Sequence, residues 1–249
     1  MKGNPNFVNE VSLASSTLKT LRQDVKPSVS VFDAVPGGLK MFNGLLNGDQ
    51  VSSLYKDVQS QEWIPVGLDG IKSHHKAGDK VGSWRLSCFE PEWAESLFEK
   101  IQSQLGGVVH FDGQNTESHP SEKWRFTGIN PLFRFIKYEK NGLLIPHYDR
   151  SFVQGEKRSL MSLVLYLTPT DVGYGRTRFL RDERTNVPVR DRDLSDRERV
   201  ASAEDVVCAP CAHPGDAAVF EHCVLHDSEE FSGAEPKIIA RTDLEFEPC

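Results

Sequence analysis

From Leu132 onward, apolar side chains recur at every second position, and no helical repeat follows residue 106. A parallel α/β sheet needs helices between its strands, so this pattern indicates antiparallel strands instead. Because Asn141-Gly142 is a typical two-residue turn, the segments 132–138 and 143–149 are predicted to form a hairpin. The full set of predicted strands is 29–32, 132–138, 143–149, 159–168, 176–180, 206–207, 216–221 and 236–247.

Two amphipathic helices are predicted ahead of these strands. The first is capped by Asn47, and its apolar stripe at helical spacing consists of Val51, Leu54, Tyr55 and Val58. The second begins at Pro91 and ends before Gly106-Gly107, and its stripe consists of Ala94, Leu97, Phe98, Ile101 and Leu105. Such helices can cover the buried face of an antiparallel sheet. The predicted fold class is therefore mainly β with flanking α-helices, a jelly-roll type of double sheet or barrel packed by the N-terminal helices.

The chain length of 249 residues suits one hydrophobic core, since all-β barrels and sandwiches of this size are commonly one domain. Residues 1–30 are polar and carry one weak helical pattern at Leu13, Leu18 and Leu21. We therefore expect an N-terminal extension over residues 1–38 and one main domain over residues 39–249.

The net charge and the cysteine content limit which binding partners and which cellular compartment are expected. The formal net charge of -7 argues against a nucleic-acid binder. No apolar run approaches the roughly 18 residues of a membrane span, and residues 1–5 lack the apolar core of a signal peptide, so a cytoplasmic protein without a membrane partner is expected. The 5 cysteines are an odd count and are expected to be reduced. Cys208-Ala-Pro-Cys211 has the spacing of half a zinc site, but no second such pair accompanies it.

The segment Ile145-Pro146-His147-Tyr148-Asp149 carries the strongest candidate site. On an extended strand His147 and Asp149 point the same way, so they can bind one ion from the same side. A distant histidine would complete the set, and His226 and His222 are the candidates. Two imidazoles and one carboxylate on one face of a metal leave positions open, which is the arrangement of non-haem Fe(II) oxygenases.

The order and spacing of several segments resemble the 2-oxoglutarate and Fe(II)-dependent oxygenase superfamily. The branch that the chain resembles most is the catalytic domain of the prolyl 4-hydroxylase α-subunit, and the resemblance runs from about residue 40 to the C-terminus. It is carried by the segments 130–138, His147-Tyr148-Asp149, 159–167, Thr177-Arg178-Phe179, 214–220, Leu225-His226 and 236–243.

This resemblance implies a double-stranded β-helix (jelly roll, cupin-like) that holds Fe(II) through His147, Asp149 and His226, which would be both the catalytic and the metal-binding residues. 2-Oxoglutarate and O2 would be the cosubstrates, and ascorbate is an additional expected reductant. Decarboxylation would give succinate and CO2 while the substrate is hydroxylated. Hydroxylation is expected rather than halogenation, because related halogenases carry a small residue in place of Asp149.

The resemblance also suggests which residues contact 2-oxoglutarate. Its distal carboxylate needs a buried cation, since an unpaired charge in a dry pocket is costly. Lys237 follows His226 at the usual family interval, whereas Arg241 offers a bidentate fork, and strand alternation places both on one face. We favour Lys237, with Arg241 as a second anchor. Tyr138 and Thr177 are further candidate contacts, although the sequence before Thr177 departs from the family's Gly-Gly pattern.

Three functions fit this sequence to different degrees. The first is hydroxylation of a protein side chain, prolyl included, and the second is the same chemistry on a free amino acid or another small metabolite. The third, a non-catalytic binding barrel, ranks last because it predicts a broken His-Asp-His set. The charged segment 181–199 is most simply a solvated loop, whereas a lid over the site would favour a small substrate.

Overall fold

The computed structural model describes residues 10–68, 70, 80–111, 122–171, 173–183 and 200–249. The helices are α1 (Ser15–Leu21), α2 (Gly48–Gln59) and α3 (Pro91–Leu105), with a 3-10 helix at Ala203–Asp205. The first strands are β1 (Glu10–Val11), β2 (Ser28–Phe32), β3 (Leu39–Asn43), β4 (Ile64–Val66), β5 (Ser83–Phe89), β6 (Val108–His110), β7 (Lys123–Ile129) and β8 (Leu132–Tyr138). The later strands are β9 (Leu144–His147), β10 (Val153–Gln154), β11 (Lys157–Tyr166), β12 (Thr177–Leu180), β13 (Val206–Cys208), β14 (Ala217–Glu221), β15 (His226–Ser228) and β16 (Lys237–Pro248).

These strands form a 12-stranded sheet and a 4-stranded sheet. The main path of the large sheet runs in the order β1-β5-β8-β16-β11-β14-β3-β2, and β4, β6, β7 and β10 pair beside it. The small sheet runs in the order β13-β12-β15-β9. β1 and β5 are parallel, whereas β16 pairs antiparallel with β7, β8 and β11. The prediction of a mainly β fold is confirmed.

Two clusters of buried side chains lie on opposite faces of the large sheet. The helix-side core combines residues of α2 and α3 with Ile238 and Ala240 of β16. The inter-sheet core combines residues of both sheets and includes Ile239. Because side chains alternate along a strand, Lys237 and Arg241 lie on the Ile239 side, between the two sheets. The predicted alternation of this segment is thereby confirmed.

Both predicted helices form as expected. The Asn47 side chain accepts a hydrogen bond from Gln50 N at 3.0 Å, and the Gln50 side chain accepts one from Asn47 N at 2.8 Å, which is a capping box. α3 begins at Pro91, and Trp93 in its first turn stacks on Phe133 of β8 with ring centroids 3.9 Å apart. This contact joins α3 to the large sheet.

The N-terminal residues from Glu10 onward contribute to both sheet and core. β1 pairs with β5, and β2 pairs with β3. Leu21 is fully buried, and the Gln50 side chain donates to its carbonyl at 3.2 Å and to that of Gln23 at 3.0 Å. These bonds satisfy carbonyls at the end of α1. The division into residues 1–38 and 39–249 stays a prediction.

The predicted hairpin at Asn141-Gly142 is wrong, although the turn itself forms. Asn141 has φ 66°, and Gly142 N donates to the carbonyl of Glu139 at 2.8 Å. However, β8 pairs with β5 and β16 in the large sheet, whereas β9 pairs with β15 in the small sheet. The turn is held by Phe231, which accepts from Asn141 N at 2.8 Å and donates to the Gly142 carbonyl at 2.9 Å. It therefore carries the chain from one sheet to the other.

Candidate metal centre

His147 and His226 lie directly opposite each other on β9 and β15. Their ring centroids are 4.2 Å apart. The next paired residues are Ser228 and Leu144, so β9 uses three residues where β15 uses two. This irregularity is a β-bulge, a feature that re-aims side chains beside functional sites. As a result His147 and Leu144 both face the inter-sheet space.

Asp149 completes a compact group with the two histidines. One possible ligand atom from each of His147, Asp149 and His226 lies within 4.8 Å of the others. His147 Nε2 is 3.9 Å from Asp149 Oδ1, and His226 Nε2 is 3.6 Å from Asp149 Oδ2. No other group of three His, Cys, Asp or Glu side chains comes together in this way in the part of the chain that the structure describes. The structure thus brings together the three residues that the sequence pointed to.

Backbone carbonyls orient both imidazoles. His147 Nδ1 is 2.9 Å from the carbonyl of Ile145, and His226 Nδ1 is 2.9 Å from the carbonyl of Val224. A carbonyl only accepts, so each Nδ1 carries the proton and each Nε2 keeps its lone pair toward Asp149. Burial lowers the pKa of both rings, that of His147 to about 3. Both imidazoles are therefore neutral at physiological pH, as metal ligation requires.

Arg241 holds the carboxylate of Asp149. Arg241 Nη2 lies 3.0 Å from Asp149 Oδ1, and the Ser162 hydroxyl donates to Asp149 Oδ2. Burial alone would raise the pKa of the Asp149 carboxyl, but the Arg241 charge and the neighbouring imidazoles hold it below its ordinary value. Asp149 therefore stays ionised at physiological pH.

A second carboxylate, Asp243, links this group to His222. Arg241 Nη2 donates to Asp243 Oδ1 at 2.8 Å, and Arg134 Nη1 donates to Asp243 Oδ2 at 3.3 Å. His222 Nε2 lies 3.4 Å from Asp243 Oδ1. His222, the alternative ligand considered from the sequence, is thus placed beside Asp243 and outside the group of three.

Lys237 is a second basic residue of the site, apart from Arg241. It is 1% exposed, and burial lowers its pKa to about 7. Its Nζ donates to the carbonyl of Gly175 and, at 3.0 Å, to the Ser228 hydroxyl, and it lies 4.5 Å from the centre of the Tyr138 ring. Among the described residues no carboxylate lies within 4.0 Å of this ammonium group. Within the described part of the chain, no carboxylate therefore contacts Lys237, and the nearest acidic influences on its pKa are those of Asp227 and Glu229.

Tyr138 and Thr177 lie beside Lys237. Tyr138 is the cross-strand partner of Lys237, and Thr177 is the cross-strand partner of Ser228. Burial raises the pKa of Tyr138 to about 12, so its hydroxyl keeps its proton. Thr177 Oγ1 accepts a hydrogen bond from the Tyr166 hydroxyl at 3.0 Å. Both predicted residues therefore lie in one corner of the inter-sheet space with Lys237.

Three site residues did not emerge from the sequence. Ser162 is the one polar residue within the apolar run 160–166. Ser228 lies two positions after His226, on the same face of an extended strand. These two patterns could have revealed them. Arg85 on β5 had no sequence signal, because its place beside Tyr138 depends on how the strands pair.

The remaining candidates from the sequence lie elsewhere. Cys208 is half-buried and Cys211 is exposed, and both are free thiols. Most of the charged segment 181–199, namely residues 184–199, lies outside the described residues. The described helices include none whose length and apolar character would allow a membrane crossing.

Comparison with known proteins shows similarity of fold. No family model and no curated protein matches the chain. The non-heme α-ketoglutarate-dependent epimerase SnoN from nogalamycin biosynthesis matches with 12% identity over 84% of this chain and 76% of its own, at a TM-score of 0.51. HygX from Streptomyces hygroscopicus, crystallised with nickel and 2-oxoglutarate, matches with 10% identity over 95% and 88%, at a TM-score of 0.50.

A prolyl-4-hydroxylase from Pseudomonas putida also matches, with 15% identity over 83% of this chain and 91% of its own, at a lower TM-score of 0.46. The chain therefore has the fold of 2-oxoglutarate-dependent oxygenases, and the resemblance noted in the sequence is confirmed at the level of the fold.

Proposed function

We propose that this chain is an Fe(II)- and 2-oxoglutarate-dependent dioxygenase that hydroxylates a C–H bond. The observation that carries the proposal is the convergence of two neutral imidazoles and one ionised carboxylate, with both Nε2 atoms toward the carboxylate. This donor set suits Fe(II) with open positions for small ligands. The shared fold agrees with this proposal. The donor set carries it, because a site and not a fold determines function.

In this proposal His147, Asp149 and His226 hold the metal. When bound, the metal would couple decarboxylation of 2-oxoglutarate by O2 to oxidation of the substrate. The carbonyls of Ile145 and Val224 fix the tautomers of the imidazoles. Loss of such outer contacts commonly lowers metal affinity or activity about 10- to 100-fold.

We further propose that Lys237 binds the distal carboxylate of 2-oxoglutarate. An ammonium group has three donors, of which the Gly175 carbonyl and the Ser228 hydroxyl engage two. A carboxylate would accept from the third and would offset the cost of the buried charge. Tyr138 and Thr177 would line the same pocket. Arg241 was expected as a second anchor, but two carboxylates already engage it, so we propose that it mainly positions Asp149.

We propose the substrate by its chemical class. On the family resemblance in the sequence we propose a protein side chain, prolyl included, with a free amino acid or other small metabolite as the alternative. The double-stranded β-helix topology, the domain at residues 39–249, the cytoplasmic location and the use of ascorbate belong to the same proposal. A mass screen of peptides and metabolites for the gain of one oxygen atom separates the two substrate classes.

The test of the reaction class is conversion of 2-oxoglutarate to succinate with added Fe(II) and ascorbate. We expect His147→Ala, Asp149→Ala and His226→Ala each to lower succinate formation at least about 100-fold, because each removes one metal ligand. His213→Ala is the matched control, since its side chain is 87% exposed. It should keep the parent rate.

The same variants should lose metal, which is measured independently by equilibrium dialysis. Equal succinate formation by the parent and the three ligand variants would reject the proposed enzyme activity. Metal binding without any 2-oxoglutarate turnover would instead support a non-catalytic metal site.

A further inference from the structure

Arg85 is a second cation of the inter-sheet space, only partly exposed, for which the described residues supply no carboxylate in direct contact. Solvent does not reach its Nε, which has no hydrogen-bond partner. Among the residues that the structure describes, no carboxylate lies within 4.0 Å of the Arg85 guanidinium. An unpaired buried charge is costly, so a folded protein usually supplies a partner or keeps the group for a ligand.

The Arg85 side chain faces the proposed active site. On neighbouring strands Arg85 pairs with Ile136, and Ile136 pairs with Ile239, both of which belong to the inter-sheet core. A Cβ added to Gly70 would lie 2.6 Å from Arg85 Nη2 and 3.0 Å from Leu144 Cδ1. The guanidinium therefore reaches from the large sheet to the start of β9, the strand that carries His147.

Among the described residues, positive charges outnumber negative charges around Arg85. Arg241 and Arg134 share Asp149 and Asp243 at distances of 2.8–3.3 Å. Burial lowers the pKa of Arg85, the charges of Arg241 and Arg134 lower it further, and the carboxylate of Asp149, which Arg241 already engages, partly offsets them. Since an arginine keeps its proton, the favourable response is to bind an anion.

We infer that Arg85 binds a carboxylate group of the primary substrate. This inference rests on the proposed function, because that function assigns the other unpaired cation, Lys237, to 2-oxoglutarate. The planar fork of Arg85 suits the two oxygens of a carboxylate. The same chemistry could come from 2-oxoglutarate itself, because Tyr138 adjoins both cations. The experiment separates these two sources.

The test measures binding of a small carboxylate to the protein loaded with Mn(II) and saturated with 2-oxoglutarate. The probe is N-acetylglycine, and its uncharged control is N-acetylglycinamide. Relaxation of the acetyl protons by the nearby Mn(II) reports binding close to the metal. We expect the parent to enhance relaxation of the carboxylate probe and to leave the amide unaffected.

Four variants assign that binding to a residue. Arg85→Gln should weaken probe binding about tenfold or more, as expected for the loss of a charged hydrogen bond. Arg85→Lys should restore part of it, and Arg125→Gln, at an exposed position on β7, should match the parent. Conversely, Lys237→Met should weaken 2-oxoglutarate binding about tenfold or more, whereas Arg85→Gln should leave it within about threefold of the parent.

Several results would overturn the inference. Equal probe binding by Arg85→Gln and the parent, or no probe binding by the parent, would show that Arg85 holds no substrate anion. Weaker 2-oxoglutarate binding by Arg85→Gln would place Arg85 in the cosubstrate site instead. Failure of the proposed function looks different, because Mn(II) would then bind His147→Ala as well as the parent. In that case saturation transfer to the same probe in the metal-free protein still tests Arg85.

Discussion

At the scale of single residues, Lys237 is 1% exposed and contacts no carboxylate among the described residues, so its charged form destabilises the ligand-free protein. Burial lowers the pKa of Lys237 from 10.5 to about 7. Between these two values the unfolded chain holds a proton that the folded protein has released, so stability rises with pH across this window. Below pH 7 both states are protonated, and the full cost of the buried charge is present.

We therefore predict that Lys237→Met removes this rise. From pH 7 to pH 9, the free energy of unfolding of the metal-free parent should increase by roughly 2 kcal/mol more than that of Lys237→Met. Urea denaturation at both pH values measures the difference. Lys56→Met, at an exposed position on α2, is the control and should follow the parent. Identical pH trends for the parent and Lys237→Met would contradict the prediction.

Sequence alone could point to His147 and Asp149 because their spacing on an extended strand is local information. Lys237 was favoured because its interval from His226 resembles that of the family. The same reasoning could not tell where the Arg241 guanidinium points. Strand alternation gave its face and that of Asp243, but its contact with Asp149 depends on how β16 of the large sheet faces the end of β9 in the small sheet. Arg85 was missed for a similar reason, since its neighbours come from strands distant in sequence.

At the scale of secondary structure elements, α3 is held to the large sheet by an aromatic stack. Trp93 is 1% exposed and lies 3.9 Å from Phe133, centroid to centroid. We predict that Trp93→Ala lowers the free energy of unfolding by about 3–5 kcal/mol, because it removes a large buried side chain and leaves a cavity. Chemical denaturation measures this loss.

Phe89→Ala on β5 is the matched control for that experiment, since Phe89 is 51% exposed. It should change the free energy of unfolding by no more than about 0.5 kcal/mol. Similar losses for both variants would show that the stack contributes nothing specific.

Elements with a strong local signal were predicted well. α2 has a capping box, α3 begins at Pro91 and ends before Gly106, and both have complete apolar stripes. β8 has the predicted bounds. β5 and β7 were missed, although Trp124 and Phe126 of β7 alternate with exposed Lys123 and Arg125. The hairpin failed because the turn residues report only the local backbone, whereas pairing is decided by contacts between distant strands.

At the scale of the whole molecule, residues 10–38 are joined to the core. Leu21 is fully buried beside α2 and α3, and Lys100 of α3 donates to its carbonyl at 3.0 Å. We predict that Leu21→Ala lowers the free energy of unfolding by about 2–5 kcal/mol. Val31→Ala, at a position that is 55% exposed, should have little effect. If thermal unfolding of Leu21→Ala matched that of the parent, residues 1–38 would behave as an independent extension.

The fold class could be predicted because a long series of alternating segments without helices allows few architectures. The two-sheet arrangement could not be derived from this pattern alone. The exchange between sheets at residue 141 rests on hydrogen bonds to Phe231, which lies 90 positions later in the chain.

β16 lies between β8 and β11 in the large sheet, yet it follows both by about 70 residues or more in the chain. During synthesis these two strands leave the ribosome long before the strand that separates them. Until β16 arrives, each exposes an unpaired edge that can join other chains. Late closure of the sheet centre makes the nascent protein dependent on protection from aggregation, and it also delays assembly of the pocket around Lys237 until translation has passed that strand.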